Sequence, residues 1–245
     1  LSEFEPRIDL RGMKSPEVDS NRMKIIEKHE LRGEYLTSYE EIRGSQMFLN
    51  AIQNYPYLRG GHTNLYRCFM TRTWRLSNSN GVSALITQQG TYNYSKGGRL
   101  RKQCYRRLKR LFMFQNELNL FDILHTRRFE LQVFKEENGK IGFDLIANLF
   151  SPSTVDDSYE NTRSNLVPGI KNDDNQWEIR GHPDRVLKIQ MSDLDFFNKA
   201  LEAEETPLLE TRLLGIHSKH FLRVLRSFGQ ARRRIGDFGA DVTAT

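Results

Sequence analysis

Residues 96–110 could hold a polyanion, because this segment carries eight Lys and Arg residues and no Asp or Glu. Its apolar residues recur at helical spacing, which predicts a helix with one buried face; they are Leu100, Cys104, Leu108 and Leu111. The side chains expected to point outward are Arg99, Lys102, Arg106, Arg107 and Arg110. Such residues contact phosphate groups without distinguishing base sequence. A basic surface that is merely solvated is the alternative.

Two smaller sets of polar residues could bind a metal ion. Asp122, Glu130 and Gln132 follow the order Asp…Glu-x-Lys of a nuclease core, with Gln in place of Lys. His217 and His220 are three residues apart and could share one helix face, as metal ligands do. No matching Cys or carboxylate cluster accompanies the histidines in the sequence, so no metal site is expected there. A metal-dependent nuclease using Asp122 and Glu130 stays open as an alternative.

The net charge of +6 is unevenly distributed. Residues 61–135 carry 14 Lys and Arg against three Asp and Glu, a net charge of +11, which leaves −5 for the rest of the chain. A basic centre between acidic flanks is the distribution expected when one surface meets a polyanion.

The composition favours a globular cytoplasmic protein. Hydrophobic residues make up 38% of the 245 residues and charged residues 28%. No apolar run approaches the roughly 20 residues that cross a bilayer, and no signal-peptide pattern opens the chain, so no membrane association is expected. Cys68 and Cys104 are the two cysteines, which favours a reducing compartment over a disulfide framework. Both lie on apolar sides of predicted helices, so buried thiols are expected.

Residues 1–60 are predicted to form a helical insertion. One helix begins at Pro16, and a second covers residues 37–54 with Phe48, Leu49 and Ile52 facing inward. Tyr55-Pro56 then ends the second helix.

Helices and strands alternate in the next segment. A helix over residues 64–76 is predicted to carry Leu65, Phe69 and Trp74 on one face. The apolar run 82–87 follows a Gly-bearing turn, which is typical of a buried parallel strand. After the basic helix, a further strand is expected at residues 111–114.

Residues 128–147 show alternation of apolar and polar side chains on both sides of Asn138-Gly139, which predicts a β-hairpin. Residues 151–175 are rich in Ser, Asp and Asn and are predicted to form a loop. A second hairpin is expected from Trp177–Ile179 and Val186–Ile189. Helices are then expected at residues 192–203 and 219–235.

The segment Asn64-Leu65-Tyr66-Arg67-Cys68-Phe69 resembles the Asn-Leu-Tyr-x-x-Phe segment of N6-adenine DNA methyltransferases whose catalytic motif is Asn-Pro-Pro-aromatic. The strand at 82–87, Leu100-Arg101 and Leu120-Phe121 follow in that family's order. The chain is most similar to the type IIG restriction–modification and phage-defence methyltransferases, including those of BREX and DISARM systems. This resemblance covers residues 40–150, and residues 177–183 more loosely.

The resemblance implies an α/β fold with a partial Rossmann-like methyltransferase sheet that ends in an antiparallel hairpin. Residues 61–150 would be the C-terminal half of the methyltransferase domain. Residues 151–245 would be a connector and the start of a recognition or helical region. The implied cofactor is S-adenosylmethionine, the implied partner is double-stranded DNA, and the implied setting is a prokaryotic cytoplasm.

Individual roles follow from the same resemblance. Asn64, Leu65 and Tyr66 would line the floor of the cofactor and adenine pocket. Phe121 would stack on the extruded adenine, since chemistry on a base requires flipping it out of the duplex, and His125 is a second stacking candidate. Packing in a protein core is the alternative for Leu65, Tyr66 and Phe121.

Two parts of that family's machinery are missing from the sequence. There is no Gly-rich loop that would close over S-adenosylmethionine, and no Asn-Pro-Pro-aromatic tetrapeptide that would orient the target amine. We therefore expect this chain, which opens at Leu1 without an initiator Met, to be a fragment completed by an upstream part of the same methyltransferase. By itself it is not expected to methylate DNA. A non-catalytic nucleic-acid-binding or assembly module is the alternative from another class.

Overall fold

A computed structural model describes Leu1 and residues 15–60, 64–137, 139–160 and 166–229. The chain divides into two compact units, Leu1–Pro56 and Tyr57–Thr245. The helices of the described ranges are α1 (Ser15–Lys28), α2 (Arg32–Asn50), α3 (Leu65–Leu76), α4 (Gly98–Arg107), α5 (Ser153–Glu160), α6 (Met191–Leu201) and α7 (Lys219–Gly229). The strands are β1 (Ser83–Gln88), β2 (Leu108–Gln115), β3 (Arg128–Phe134), β4 (Gly142–Leu149) and β5 (Leu187–Gln190).

The first unit contains α1 and α2, so the prediction of two helices there is confirmed. Ile25 and Ile26 of α1 are buried, whereas α2 buries no residue. Phe48 and Ile52 were expected to face inward, but they are 58% and 45% exposed, so that prediction is wrong. A unit of two helices gives each helix one narrow contact face, which leaves most of the α2 surface in solvent.

The second unit is built on a five-stranded mixed sheet with the strand order β1-β3-β2-β4-β5. β3 lies antiparallel between β1 and β2, β4 runs parallel to β2, and β5 runs antiparallel to β4. β1, β2 and β4 therefore point in one direction, and α4 connects β1 to β2. The predicted α/β class is confirmed.

The hairpin predicted over residues 128–147 is wrong, although both of its strands exist. β2 separates them, because Leu111 pairs with Gln132 of β3 on one side and with Leu145 of β4 on the other. Asn138 of the predicted turn lies outside the described residues. Alternation of side chains shows that a segment is a strand, but it does not specify which strand occupies each hydrogen-bonding edge.

The strand at residues 82–87 was expected to be buried and parallel, and that prediction is also wrong. Among the strands that the structure describes, β1 lies at the edge of the sheet and pairs with the antiparallel β3 alone. Its side chains alternate in exposure, with Ala84 and Ile86 exposed and Thr87 buried. An apolar run on an edge strand looks the same in sequence as one in the middle of a parallel sheet.

The predictions for the C-terminal third are mixed. The second hairpin is wrong, because β5 pairs with β4 and Trp177 forms only an isolated bridge with Lys171. The predicted loop at residues 151–175 contains the helix α5. The last two predicted helices are confirmed as α6 and α7, and the part predicted beyond Gly229 lies outside the described residues.

One face of the sheet, which we call the covered face, packs against α3, α4, α6 and the segment 208–216. It carries the larger core of the unit. The strand residues buried there are Leu111, Met113, Phe134, Phe143, Leu145, Ala147, Leu187 and Ile189. Cys68 and Cys104 are buried free thiols, as predicted.

The opposite face, which we call the open face, is only partly covered. A smaller core gathers around Ile146 and Phe112, and α5 packs on β4 there. Toward β1 the cover ends: Ile86 is 58% exposed, and Leu131, its partner on β3, is half-buried.

Among the described residues, none of the helices combines the length and apolar character that a membrane span requires.

Candidate functional site

The ends of β1 and β2 bring two segments together at one edge of the sheet. Because both strands are antiparallel to β3, their carboxyl ends both lie beside the start of β3. The Gln89 N–H donates to the Arg128 carbonyl at 3.0 Å, and the Asn116 N–H donates to the Arg127 carbonyl at 2.9 Å. Ligands of open α/β sheets bind outside the carboxyl ends of strands. This edge is therefore the candidate site.

The amino end of α3 belongs to the same edge. Asn64 caps the helix, with its side-chain oxygen accepting from the Tyr66 N–H at 3.3 Å. The Tyr66 hydroxyl lies against Gly90, where an added Cβ would come within 3.4 Å of it. Gly90 has φ +152, a backbone conformation that side-chain-bearing residues rarely adopt, so the backbone at this position favours glycine.

Arg67 lies between two aromatic rings at this position. Its guanidinium carbon is 5.5 Å from the centre of the Tyr66 ring and 4.7 Å from that of Tyr94, and its Nε donates to the Tyr66 hydroxyl at 3.0 Å. A guanidinium held over aromatic faces is restrained in orientation. Sequence reasoning assigned no role to Arg67, although a basic residue one position after Tyr66 was visible.

Leu65 and Phe69 do not face the core as predicted. They are 57% and 65% exposed, while α3 buries Cys68, Met70 and Thr71 instead. α3 packs at the β1 edge of the sheet, so only a narrow side of the helix contacts the strands. Core packing is therefore not the role of Leu65.

Phe121 lies on the loop that follows β2. Its ring packs edge-on against Phe129 with centroids 4.9 Å apart, and the side chain is 42% exposed. Asn116, which is fully buried, fixes this loop: its Nδ2 donates to the Phe121 and Ile123 carbonyls, and its Oδ1 accepts from the Phe121 N–H, all at 3.0 Å. Sequence reasoning missed Asn116, although a polar residue directly after an apolar strand could have indicated it.

His125 is on the same loop but is engaged elsewhere. Its Nδ1 lies 3.1 Å from the Glu117 carboxylate. The ring is largely exposed and makes no aromatic stack with another described residue. The loop thus carries Phe121, whose backbone is fixed by Asn116, and His125, whose imidazole is exposed.

The five basic residues predicted to share an outward helix face do not share one. α4 ends at Arg107, and Arg110 lies on β2, where its guanidinium packs over the Tyr159 ring on the open face at 5.2 Å. The helix was predicted to reach Arg110, three residues beyond its end at Arg107. Leu108 and Leu111 fit helical spacing, but they belong to strand β2.

Arg106 and Arg107 lie at the end of α4 that is far from the candidate site. Both bind Glu137, at 3.0 and 2.6 Å, and Arg107 also packs over Trp74. Arg99 and Lys102 remain near the candidate edge, since α4 begins directly after the segment that holds Tyr94. Neither of these two has an ion-pair partner among the described residues.

Arg101, on the same helix, is a structural residue that sequence reasoning missed. Its side chain is 2% exposed, and it donates to the carbonyl oxygens of Glu210, Thr91 and Tyr94 at 2.7 to 3.3 Å. Burial lowers its pKa, partly offset by Tyr105. Arg101 ties the segment after β1 to the segment 208–210 and thereby fixes the position of Tyr94.

Glu130 and Gln132 lie in a buried polar cluster on the covered face. Gln132 accepts from the Tyr92 hydroxyl at 2.9 Å and donates to Thr87 Oγ1 at 2.8 Å. Glu130 is 1% exposed, and its Oε1 has no hydrogen-bond partner among the described residues. Burial raises its pKa to about 8, partly offset by a hydrogen bond from the Gly90 backbone.

This cluster is a poor nuclease core. The Glu130 carboxyl group is 1% exposed, so it is closed to a metal ion that must also contact DNA. Asp122, the other proposed ligand, is exposed on the loop after β2. Within the described ranges, no three His, Cys, Asp or Glu side chains lie close enough to hold a metal ion.

His217 and His220 do not form a pair of ligands. The Nε2 atom of His217 lies 2.8 Å from the Pro168 carbonyl, and that of His220 lies 3.4 Å from the Asp184 carboxylate.

The residues assigned to S-adenosylmethionine do not enclose a cofactor by themselves. Asn64 uses its side-chain oxygen to cap α3, and the Tyr66 hydroxyl is bound by Arg67. Leu65 offers one exposed apolar side chain. These residues can supply one wall of a pocket, and the polar groups that would hold an amino acid and a ribose must come from elsewhere.

No protein-family model matches the chain, and no curated protein matches it. Function is therefore inferred from the residues and their geometry.

Proposed function

We propose that the chain is the C-terminal half of the catalytic domain of a site-specific DNA adenine-N6 methyltransferase from a restriction–modification or phage-defence system. In this role it supplies one wall of the pocket for the flipped adenine, with Phe121 as the stacking residue. Arg99 and Lys102 contact the DNA backbone. The upstream part of the same methyltransferase supplies the S-adenosylmethionine loop and the catalytic tetrapeptide.

One observation carries the proposal. Tyr66 at the start of α3 and Phe121 after β2 were singled out because they resemble residues of one pocket, although they are far apart in sequence. The backbone next to each of them, at Gly90 after β1 and at Asn116 after β2, lies beside the start of β3, with Tyr66 on the side of the covered face and Phe121 on the side of the open face. Phe121 has an exposed ring on a loop whose backbone is fixed by the buried Asn116. Such a ring is suited to stacking on a base.

The edge of the sheet at β1 supports the proposal that an upstream part of the methyltransferase completes the domain. Within the described part of the chain β1 pairs with one strand, β3, and no described strand pairs with its other backbone edge. Unpaired edges with exposed apolar residues favour added strands. Ile86 on β1 and Leu65 and Phe69 on α3 are exposed beside this edge. An upstream half that continues the sheet past β1 would cover them.

The decisive experiment uses the chain joined to the residues encoded before Leu1. Methyl transfer from S-adenosylmethionine to adenine in duplex DNA should be measured for the wild type and for Phe121→Ala. Loss of one stacked aromatic ring should lower kcat/KM roughly tenfold or more. Leu124→Ala, on the same loop and also exposed, is the matched control and should retain activity. Equal activities of the two variants would remove Phe121 from the pocket, and absence of methyl transfer would refute the proposed function.

The isolated chain gives a second test. With one pocket wall only, it should show no saturable binding of S-adenosylmethionine at micromolar concentration by calorimetry. Tight binding would contradict a half-domain.

A further inference from the structure

A cleft of about 690 Å³ opens at the β5 edge of the sheet. α5, the start of α6 and α7 form its walls. The charged residues that line it are Asp144, Lys188, Asp193, Lys219, Arg223 and Arg226. Four cations against two carboxylates leave the cleft with an excess of positive charge.

The two carboxylates are already bound by protein groups. Asp144 accepts a hydrogen bond from the Tyr159 hydroxyl at 2.8 Å. Asp193 pairs with Arg226 and accepts from the Gln190 N–H at 2.9 Å, which also closes the capping box of α6. Both acids are therefore held within the walls, and the four cations outnumber them by two.

Two of the four cations, Lys219 and Arg226, are likewise bound by carboxylates of the protein. Arg226 ties α7 to α6 through Asp193, and Lys219 binds Asp184 at 3.0 Å. These contacts fix the start and the middle of α7 against the rest of the unit. They give the cleft a defined shape before any ligand binds.

Lys188 and Arg223 remain available. Lys188 lies opposite Asp144 in the β4–β5 register, but no ion pair joins it to a described residue. Arg223 contacts the His220 ring nitrogen and no carboxylate of the described chain. The two side chains line the same cleft, one from β5 and one from α7.

Arg110 and Tyr159 extend this basic surface. The Arg110 guanidinium packs over the Tyr159 ring at 5.2 Å, and the same ring meets Phe112 edge-on with centroids 6.4 Å apart. Tyr159 is itself a lining residue of the cleft. Positive charge therefore continues from the cleft along β2 on the open face, a path suited to an extended polyanion.

We propose that this cleft binds phosphate groups of a nucleic-acid strand, with Lys188 and Arg223 as the residues that contact them. The identification of the strand as DNA rests on the proposed function; the phosphate chemistry rests on the cleft alone. The site is separate from the candidate adenine pocket, because it lies beside β5 and α7 and not at the carboxyl edge of β1.

The test measures the affinity of the full chain for a labelled DNA duplex at several salt concentrations. Lys188→Gln with Arg223→Gln should weaken binding roughly tenfold or more at about 0.1 M salt. It should also lower the slope of log affinity against log salt by about 1.8, since each lost phosphate contact releases about 0.9 fewer counterions. Melting curves by circular dichroism confirm that the variant is folded.

A matched control removes the same charge outside the cleft. Lys171→Gln with Lys199→Gln changes two exposed lysines, of which Lys199 pairs with Asp195 on α6. This control should bind DNA within about twofold of the wild type. If the cleft variant and the control bind alike, or if the wild type binds no duplex even at low salt, the proposal is overturned.

Two further experiments distinguish the cleft from the DNA-backbone contacts and the adenine pocket of the proposed function. Arg99→Gln with Lys102→Gln tests the backbone contacts of the proposed function, and its effect is independent of the cleft variant. Methyl transfer by the Phe121 variants tests the adenine pocket without reference to either basic surface. Saturation of the cleft by micromolar inorganic pyrophosphate, with no effect of the cleft variant on DNA, would assign a free phosphate ligand and overturn the nucleic-acid proposal.

Discussion

The covered and open faces of the sheet differ in how completely they bury their side chains. On the covered face Phe134, Leu145 and Ile189 are fully buried beneath helices. On the open face burial is complete around Ile146 and falls toward β1, where Ile86 is exposed. Burial of apolar area stabilises a fold by roughly 25 cal/mol per Å², so an uncovered apolar strand lacks a stabilisation that the covered face has.

The two faces also treat charge differently. The covered face holds Glu130 and Arg101 away from water, with most of their polar atoms hydrogen-bonded. The open face presents Lys188, Arg223 and Arg110 to a cleft and its surroundings. The comparison indicates that the covered face contributes the larger part of the buried core, whereas the open face leaves more of its apolar and charged side chains exposed.

The largest expected effect concerns the buried carboxyl group of the covered face. Because the pKa of Glu130 is raised to about 8 in the folded state, the folded chain keeps a proton that the unfolded chain loses near pH 4.5. The free energy of unfolding should therefore fall as pH rises from about 4.5 to 8, by at most about 5 kcal/mol at about 1.4 kcal/mol per pKa unit. Urea denaturation at several pH values measures this change in the free energy of unfolding.

Glu130→Gln should remove that pH dependence, since the amide cannot ionise. The difference between wild type and variant is the quantity to compare, because burial lowers the pKa of His217 and gives the opposite trend at lower pH. Glu160→Gln, exposed on α5, is the control and should keep the wild-type profile. The difference in free energy of unfolding between the wild type and Glu130→Gln is compared at pH 5 and pH 8. If this difference is the same at both pH values, Glu130 is not buried as described.

Substitutions on adjacent residues of β3 compare the two faces directly. Phe134→Ala, on the covered face, should lower the free energy of unfolding by about 4 kcal/mol, because a fully buried ring leaves a cavity. Val133→Ala, half-buried on the open face, should cost about 1 kcal/mol or less. Chemical denaturation gives both values, and equal costs would remove the distinction between the faces.

Arg101 tests whether its buried charge holds the segment after β1. Arg101→Met should cost about 3 kcal/mol, because it leaves carbonyl groups of Glu210 and Tyr94 without donors. Arg99→Met, an exposed neighbour on α4, should change stability by less than about 0.5 kcal/mol. A small effect of Arg101→Met in thermal or urea unfolding would mean that water replaces the guanidinium.

The smallest effect is expected at the open edge. Ile86→Ala in this chain should cost under about 1 kcal/mol, because the side chain is already largely exposed. If the proposed upstream half of the methyltransferase is joined to the chain, the same substitution should cost about 2 kcal/mol or more, as for a buried core residue. Unequal unfolding energies in the two backgrounds support a covering segment, and equal small costs would show that nothing packs on β1.

Local patterns in the sequence identified most of the elements. Alternation at Phe129, Leu131 and Val133 indicated β3, and helical spacing around Leu100 and Cys104 indicated α4. The buried cysteines and the α/β class also followed from short-range information. These features depend on side-chain periodicity, which a single segment carries within itself.

The sequence also singled out Tyr66 and Phe121, but through a resemblance and not through any pattern that places them in space. That they lie at one edge follows from β3 entering the sheet between β1 and β2. Asn116 and Arg67 were missed because their contacts, with a loop backbone and with the ring of Tyr94, exist only after that edge has formed.

Strand pairing, by contrast, was decided by the tertiary structure. The sequence determined that β3 and β4 are strands, yet β2 lies between them, so the two strands do not pair as a hairpin. A strand has two equivalent backbone edges, and its side chains specify a face and not a neighbour. The helices over the covered face and the competition among all five strands select the neighbour, and both are properties of the whole chain.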